Sequence, residues 1–442
     1  MPSGAARSDE AALLEGREAV LREIREDEVV ELTRDLVRIP SFTTEETPVA
    51  RFLARYLEEQ GIEAELSAVE DGRFQVIGRL RGDGDAGDGP SLLFDGHIDI
   101  DPIARGWKRN PFHPVVEDGR LYGAGTYNMK GGVAAMVMAA VALRRAAVPL
   151  RGELIVAGVV GELQGGVGTV HLLQQGMRID MGVVPEPHGV ENLMTTHCGV
   201  MQLAINTHGV SEHTTRKDEA VDAIAAMVKA VRALDRIRFT CEPRADLPGL
   251  PRMNIGSIIG GRGKGHELRG PNNVADHATV LADIRFLPGQ TPEAIVADIR
   301  RTLDPIARDD PKFRYSVEFP APKRFRLAPF AMPPCDAPRD SFIVRTVAAN
   351  HARVTGREPA TIGALLPKSY SGNDTGHLWA RGIPCVLYGP WGGFVPTPDS
   401  VDHYVTLDEL TTCTRTLALT ALDVCTRSRA EVADAGGAGA RR

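Results

Sequence analysis

Apolar positions along the chain follow two spacings, one typical of helices and one typical of buried strands. These elements come in the order helix 29–39, helix 49–60, strands from Phe74 and Ser91, helix 131–146 and a strand from Glu153. This alternation predicts an α/β layer structure with a largely parallel sheet. Ligands bind at the carboxyl ends of the strands in such sheets, so we expect the functional side chains there.

The pattern changes from about Val200, where alternating strands surround a helix over 220–234 and precede a helix from Pro292. This order indicates a compact α+β module, and helix–strand alternation resumes after about Ala321. An inserted module is tolerated where its two ends lie close together. The predicted organisation is a disordered segment 1–15, a first α/β part 16–199, an inserted α+β module 200–320, a second α/β part 321–429 and a disordered tail 430–442.

Composition narrows the class of partner. The chain has 442 residues and a net charge of -7, with basic residues scattered along it, so we expect a small-molecule partner and neither nucleic acid nor a membrane. The apolar run from Val133 is broken at Arg144, short of the roughly 20 residues that span a bilayer. Six cysteines without CxxC spacing, and an N-terminus that lacks an apolar signal core, predict a cytoplasmic protein.

Polar side chains follow several of the predicted strands. His97 and Asp99 in GHID point to the same side, so Asp99 can hold the imidazole tautomer that a metal needs. Glu162 ends an apolar strand and is either a general base or a turn residue. Glu186, between two prolines, is either a ligand or part of a rigid turn. Asn128, on a glycine-rich turn, is a poor substitute for a bridging carboxylate.

Each of the other candidates also has an ordinary structural explanation. His213 lies in the inserted module, where a solvated loop histidine is the usual finding. Asp374 precedes a helix and fits an N-cap. Asp399, Asp402 and His403 lie on a Gly/Pro-rich loop that is typical of solvated turns.

Together these motifs resemble the M20 family of metallopeptidases and amidohydrolases, which includes acetylornithine deacetylase, succinyl-diaminopimelate desuccinylase and carboxypeptidase G2. The similarity is collinear over about 31–419 and includes GHIDIDP, GAGTYNMKGG, GELQGGVGT, THGVSEH and SGNDTGHLWARGIPCVLYGP. The resemblance implies that the inserted module is a lid or dimerisation domain through which two subunits pair.

The resemblance also implies a bridged pair of zinc ions and a catalytic glutamate. His97 and Glu186 match first-site ligands, Asp99 matches the carboxylate that orients the histidine, and Glu162 matches the general base. His213, from the lid of a partner subunit, would stabilise the oxyanion. A pocket for a substrate carboxylate would be formed by the loop 389–393, which includes Gly389, Trp391 and Gly392, together with Asn273 and Arg285.

Three expected ligands differ from the family pattern. Asn128 stands where the bridging aspartate is expected, Leu163 where a second-site glutamate is expected, and Asp399 where a second-site histidine is expected. We therefore expect one zinc or other divalent ion at most, held by His97 and Glu186 with Asn128 as a weak third ligand. Completion of the shell by His188, His197 or His403 stays open, as does a site without metal.

The sequence thus predicts an amidohydrolase acting on an N-acyl amino acid or small peptide-like amide that bears a carboxylate. Two alternatives stay open. One is a metal-independent acid/base enzyme, such as a lyase or a cyclising or condensing enzyme of specialised metabolism, that uses Glu162 in the same pocket. The other is a binding protein without catalytic activity.

Overall fold

A computed structural model describes residues 4–82, 88–267, 271–322, 331–392 and 400–436. The chain divides into two compact units. The first comprises Met1–Thr196, Cys335–Lys368 and Asn373–Arg442, and the second comprises His197–Pro334 and Ser369–Gly372. The second unit interrupts the first along the chain, and the finer predicted boundaries at residues 200 and 320 stay predictions.

The strands of the described residues, in chain order, are β1 (Glu63–Glu70), β2 (Arg73–Arg81), β3 (Ser91–His97), β4 (Val115–Glu117), β5 (Arg120–Tyr122), β6 (Glu153–Val159), β7 (Met181–Val184), β8 (Asn192–His197), β9 (Gly199–His208), β10 (Arg252–Gly261), β11 (His277–Phe286), β12 (Arg314–Glu318), β13 (Ala331–Met332), β14 (Cys335–Asp336), β15 (Thr361–Ala364), β16 (Cys385–Leu387) and β17 (Tyr404–Thr406). The helices are α1 (Gly4–Arg22), α2 (Glu26–Arg38), α3 (Thr47–Glu59), α4 (Gly131–Ala146), α5 (Val167–Gln174), α6 (Ala223–Leu234), α7 (Pro292–Asp309), α8 (Phe342–Thr355), α9 (Thr375–Ala380), α10 (Leu407–Cys425) and α11 (Arg429–Gly436).

The first unit is built on a mixed sheet with the strand order β1-β2-β6-β3-β7-β16-β8-β14 and with β15 beside β8. Its centre is parallel: β3 pairs in parallel with β6 on one side and with β7 on the other, and β7 pairs in parallel with β16. β1 and β2 form an antiparallel edge. A small sheet, β17-β5-β4, accompanies it. The predicted α/β class is confirmed.

Helix α4 occupies the centre of the first unit's core. It is apolar around its whole circumference, and thirteen consecutive residues from Gly131 to Leu143 are buried. The same core takes apolar residues from α2, α3 and α10 and from the sheet. Its apolar length is thus explained by burial in protein, and within the described part of the chain no helix is long and apolar enough to span a bilayer.

The second unit is an antiparallel sheet with the order β10-β11-β9-β12, and β13 pairs with β9. Helices α6 and α7 pack against this sheet, and their apolar faces form a separate core with it. Asp222 caps α6 by accepting the backbone N–H of Ile224 and Ala225, at 2.9 and 3.0 Å. The predicted α+β module therefore has its own hydrophobic core.

The ends of the chain contain more helix than their composition indicates. Residues 1–15 and 430–442 are predicted to be disordered, whereas α1 covers Gly4–Arg22 and α11 covers Arg429–Gly436. The physical reason is anchoring: Leu13 and Leu21 of α1 and Val432 of α11 pack against the core of the first unit. A few apolar contacts therefore order segments that are otherwise small and polar.

Candidate active site

Three polar side chains meet at the carboxyl ends of neighbouring parallel strands. His97 is the last residue of β3, and the two strands that flank β3 are β6 and β7. Glu162 follows β6 and Glu186 follows β7. Parallel strands end at the same edge of the sheet, so the fold brings these side chains together from distant parts of the sequence.

The donor atoms of these side chains form a compact group. One ligand atom from each of His97, Glu162 and Glu186 lies within 4.8 Å of the others. Nε2 of His97 lies 3.4 Å from Oε1 of Glu186 and 3.1 Å from Oδ1 of Asn128. All of the three titratable side chains are at most 8% exposed. One imidazole and two carboxylates at this spacing are suitable ligands for a divalent ion.

Asp99 connects the histidine to the loop that carries Glu162. Nδ1 of His97 lies 2.9 Å from the backbone carbonyl oxygen of Asp99 and 3.2 Å from its Oδ1, and that Oδ1 also accepts the backbone N–H of Glu162 at 3.2 Å. The other carboxylate oxygen of Asp99 accepts the backbone N–H of Leu163 at 3.3 Å and the hydroxyl of Thr43 at 3.1 Å. A fully buried carboxylate with these donors fixes the orientation of the imidazole and of the Glu162 turn together.

The turn that carries Glu162 requires glycine. Gly161, Gly165 and Gly166 have φ values of +66°, +91° and +76°, a region that L side chains rarely adopt. A Cβ atom at Gly161 would lie 2.7 Å from Nη2 of Arg73, whose guanidinium is held by the buried carboxylate of Glu46 at 2.5 and 2.9 Å. The backbone of the turn next to Glu162 is therefore tightly packed.

The protonation states in this group depend on one another. Burial would lower the pKa of His97, but Asp99 and Glu186 together raise it well above its ordinary value. Burial raises the pKa of Glu162 well above its ordinary value, and the charges of Glu186 and Asp374 act in the same direction while His97 opposes them. Burial would also raise the pKa of Asp99, but the interaction with His97 and the other hydrogen bonds lower it.

The donor set for a second ion is poor. Leu163 has no side-chain donor, and its backbone N–H is already bound to Asp99. Asn128 offers a neutral amide oxygen at 3.1 Å from Nε2 of His97. Asp399 lies outside the described residues.

Among the described residues, none of the other histidines considered as ligands joins the group. His188 donates its backbone N–H to the carbonyl of Glu186 at 2.9 Å, and burial lowers the pKa of its ring to about 4. The ring of His197 lies 2.8 Å from the carbonyl of Cys198, and Nε2 of His403 lies 3.0 Å from the carbonyl of Ser400. His403 and Asn128 line the same small cavity, so His403 lies near a predicted ligand, as His188 does.

Of the second-unit residues that are predicted to contact the substrate or the oxyanion, His213 and Asn273 lie together, whereas Arg285 is engaged in other contacts. His213 and Asn273 form a backbone bridge; His213 is exposed and Asn273 is half-buried, and the ring of His213 is hydrogen-bonded to the hydroxyl of Thr215 at 3.0 Å. Arg285 is an ion-paired strand residue: its guanidinium donates to Asp283 at 2.7 and 3.2 Å and to the carbonyl of Tyr370 at 3.2 Å. Arg285 is thus engaged in contacts within its own unit, and its predicted role in the substrate pocket stays a prediction.

The predicted glycine loop packs against the strand end that carries Glu186. A Cβ atom at Gly389 would lie 2.3 Å from the backbone oxygen of Glu186, so glycine is required for the close approach. Gly392 is buried. The backbone N–H of Trp391 donates to Glu409 at 2.7 Å, and Nζ of Lys368 lies 3.5 Å from the centroid of its indole ring. Lys368 and Glu409 were not predicted from the sequence, because an isolated charged residue in a loop or at a helix start belongs to no motif and no recognisable spacing.

Two buried aspartates lie beneath the group. Asp374 occupies the position before α9, but its side chain caps nothing and is 2% exposed. Burial and the charge of Asp95 raise the pKa of Asp374 well above its ordinary value, and burial raises that of Asp95 to about 7. Asp95 accepts the hydroxyl of Thr169 at 3.0 Å. The predicted N-cap role of Asp374 is wrong, because its carboxyl turns into the core.

A family model, peptidase family M20/M25/M40, matches residues 93–423. The chain therefore belongs to this family, and it is an enzyme of the amidohydrolase and peptidase type that cleaves amide bonds. It is similar to N-formyl-4-amino-5-aminomethyl-2-methylpyrimidine deformylase of Bacillus subtilis (strain 168), with 26% identity over 92% of this chain and 97% of that protein. It is also similar to succinyl-diaminopimelate desuccinylase of Methylobacterium nodulans, with 27% identity over 86% of this chain and 92% of that protein.

Solved structures show the same fold. Aminopeptidase PepT from Bacillus cereus matches with a TM-score of 0.69 and 20% identity over 91% of this chain and 99% of that one. The Bacillus subtilis YXEP protein, described as a dinuclear metal-binding peptidase from the M20 family, matches with a TM-score of 0.64 and 19% identity over 91% of this chain and 99% of that one. At these identities the likeness concerns the fold.

Proposed function

We propose that the chain hydrolyses the amide bond of an N-acyl amino acid or small peptide-like substrate, with Glu162 as general base. The observation that supports this is the buried group in which donor atoms of His97, Glu162 and Glu186 lie within 4.8 Å of one another. A deformylase and a desuccinylase, both of which remove an acyl group from nitrogen, are among the relatives. That shared chemistry supports hydrolysis of an acylated nitrogen, and the N-acyl amino acid is the proposed substrate class.

The same group fits one divalent ion. His97 and Glu186 would hold it, with the amide oxygen of Asn128 as a weaker third ligand, and a nitrogen with two oxygens is a donor set that zinc accepts. When bound, the ion would polarise the amide carbonyl as a Lewis acid. A second ion does not fit, because Leu163 offers no donor where the family pattern has a carboxylate.

The residues of the chain would carry the proton transfers. Glu162 takes a proton from the attacking water as its oxygen bonds to the acyl carbon, and then gives that proton to the nitrogen as the C–N bond breaks. A raised pKa suits this double role, since the best catalytic pKa lies near the working pH. Asp99 positions the imidazole of His97. His213 of the partner subunit would stabilise the oxyanion in a homodimer formed through the second unit.

A second candidate is a metal-independent acid/base enzyme on the same scaffold. It is favoured by Leu163 and Asn128, which weaken the metal site while leaving Glu162 buried with a raised pKa. Such an enzyme would move a proton on a bound substrate and would not hydrolyse unactivated amides.

The test is the number of metal ions per chain together with activity. Protein purified without chelator or added zinc is examined by native mass spectrometry, and a series of N-acyl amino acids is assayed for release of the free amine. About one ion per chain, with activity that a chelator removes and zinc restores, supports the proposal. No ion, and no hydrolysis after zinc is added, rejects the hydrolase in favour of the metal-independent enzyme.

A further inference from the structure

A cation lies beside the turn that carries Glu186, and neither the sequence motifs nor the catalytic group accounts for it. Lys368 begins a short helical turn after β15. Its ammonium donates to the carbonyl of Pro187 at 3.1 Å and lies 3.5 Å from the centroid of the Trp391 ring. Both contacts are within the first unit, so the position of Lys368 relative to Glu186 is defined by that unit alone.

The ammonium of Lys368 has hydrogen-bonding capacity to spare. It carries three N–H donors, of which the carbonyl of Pro187 takes one, and the ring of Trp391 stabilises the charge without accepting a conventional hydrogen bond. Among the described residues, no carboxylate forms an ion pair with it, and Glu409, Glu186 and Glu191 act on its charge without a hydrogen bond. Burial lowers the pKa of Lys368 to about 8, while Glu409, Glu186 and Glu191 oppose that change, so the side chain is still mostly charged at neutral pH.

Trp391 supplies a second donor at the same place. Its indole Nε1 is buried and has no hydrogen-bond partner in the described part of the chain. The backbone of Trp391 is fixed by Glu409, which accepts its N–H at 2.7 Å and that of Val190 at 3.4 Å. A buried donor without an acceptor is destabilising, so a ligand that brings an acceptor here is favoured.

The other cation considered for this role is already engaged. Arg285 uses its guanidinium on Asp283 and on the carbonyl of Tyr370. To bind a substrate carboxylate it would have to give up those contacts, whereas Lys368 has donors to offer without losing any.

We propose that Lys368, supported by the indole N–H of Trp391, binds a carboxylate of the substrate and so selects N-acyl amino acids over neutral amides. The identity of the substrate rests on the proposed function, but the anion-binding role does not. Lys368 is a specificity-determining residue in this account, and it takes no part in the proton transfers of Glu162.

The test compares two ligands that differ only in the charged group, N-acetyl-L-leucine and its primary amide. Binding is measured by isothermal titration calorimetry in the Glu162→Gln background, so that turnover contributes no heat. Lys368→Met should weaken binding of the acid by at least about tenfold, since a hydrogen bond to a charged group is lost, and should change binding of the amide by less than about twofold. Lys368→Arg should restore most of the preference for the acid.

Two further variants separate this role from a structural one. Trp391→Phe keeps the ring and removes the N–H, so it should weaken the acid selectively but less than Lys368→Met; it also tests the proposal if Lys368→Met does not fold. Lys108→Met, an exposed lysine of the same unit, controls for long-range charge and should leave both ligands unaffected.

The outcomes distinguish this proposal from the proposed function. Equal weakening of acid and amide by Lys368→Met, or a preference of the parent protein for the acid below about threefold, overturns the carboxylate role even if hydrolysis is found. Selective loss for the acid supports it even if no N-acyl amino acid is hydrolysed, in which case the hydrolase proposal alone fails.

Discussion

Oδ1 of Asp99 lies 3.2 Å from Nδ1 of His97, and the same atom accepts the backbone N–H of Glu162. One buried carboxylate therefore orients both the histidine of the donor group and the turn of the catalytic candidate. These contacts are present in this chain although Leu163 and Asn128 differ from the family pattern. The contacts that orient His97 and the Glu162 turn are thus all present, whereas the ligands that would hold a second ion are not.

Asp99→Asn should weaken metal binding without unfolding the protein. The amide has one acceptor oxygen, so it can keep the hydrogen bond from only one of the two loop N–H groups that Asp99 accepts on separate oxygens. It also lacks the charge that raises the pKa of His97. We expect the dissociation constant for zinc to rise about 10–100-fold, as measured by competition with a chelating dye. Asp71→Asn, at an exposed turn, is the matched control. An unchanged zinc affinity would show that Asp99 does not orient the ligand.

Glu162→Gln should remove turnover while leaving the fold intact. The amide keeps the size of the side chain but cannot take a proton from water, so we expect kcat to fall at least about 100-fold. The measurement is initial rates on the best N-acyl amino acid, with melting temperatures recorded in parallel. Glu65→Gln, on the exposed face of β1, should leave the rate unchanged. Comparable rates for Glu162→Gln and the parent enzyme would remove this residue from the mechanism.

The fold could be predicted from the sequence because its main signals are local. Short continuous apolar runs mark β3, β6 and β7, and their parallel order places His97, Glu162 and Glu186 at one edge. What could not be predicted is set by contacts between distant segments. Whether Arg285 is committed to Asp283, or whether the carboxyl of Asp374 turns inward, depends on tertiary packing that no spacing encodes.

The same reason explains why Lys368 was missed. Its neighbours, Pro187 and Trp391, lie far away in sequence and meet it only through the order of β7, β16, β8 and β15 in the sheet. The terminal helices are a parallel case, because a few anchoring residues such as Leu13 outweigh a composition that indicates disorder. Family motifs predict the site residues that members of the family share, whereas residues that are particular to this chain can be identified only from the structure.

Asn128→Asp should strengthen the metal site. A carboxylate at this position would lie beside Nε2 of His97, where the amide oxygen lies at 3.1 Å, and would add a negative charge to the donor set. We expect at least about tenfold tighter zinc binding, since a charged ligand replaces the neutral amide beside the imidazole of His97 and the carboxylate of Glu186. Asn110→Asp, at an exposed turn, should have no effect.

Adding Leu163→Glu to that variant tests the missing second-site ligand. The double variant should bind more than one zinc ion per chain by native mass spectrometry, whereas Asn128→Asp alone should stay at about one. If neither variant gains affinity, the loss of ligands is not what limits metal binding, and the metal-independent candidate gains support.

Glu409 should make the stability of the protein depend on pH in an unusual direction. Burial raises the pKa of Glu409 to about 7 from an ordinary value of 4.5, although hydrogen bonds from Trp391 and Val190 oppose the rise. Between these two pKa values the folded state holds a proton that the unfolded state has released. The contribution of this group to stability is therefore fully present below about pH 4.5 and is lost as the pH rises through about 7.

Glu409→Gln removes this titration and keeps an acceptor for the two backbone N–H groups. As the pH rises from 5 to 8, the parent protein should lose about 1–3 kcal/mol of unfolding free energy relative to the variant, because each pKa unit corresponds to about 1.36 kcal/mol. Urea unfolding at pH 5, 6, 7 and 8 measures the difference, with Glu65→Gln as control. Parallel pH profiles for parent and variant would mean that Glu409 is ionised in the folded protein throughout this range. In that case Lys368 would have a permanently charged carboxylate near it, and the preference of the pocket for an anionic substrate would be correspondingly weaker.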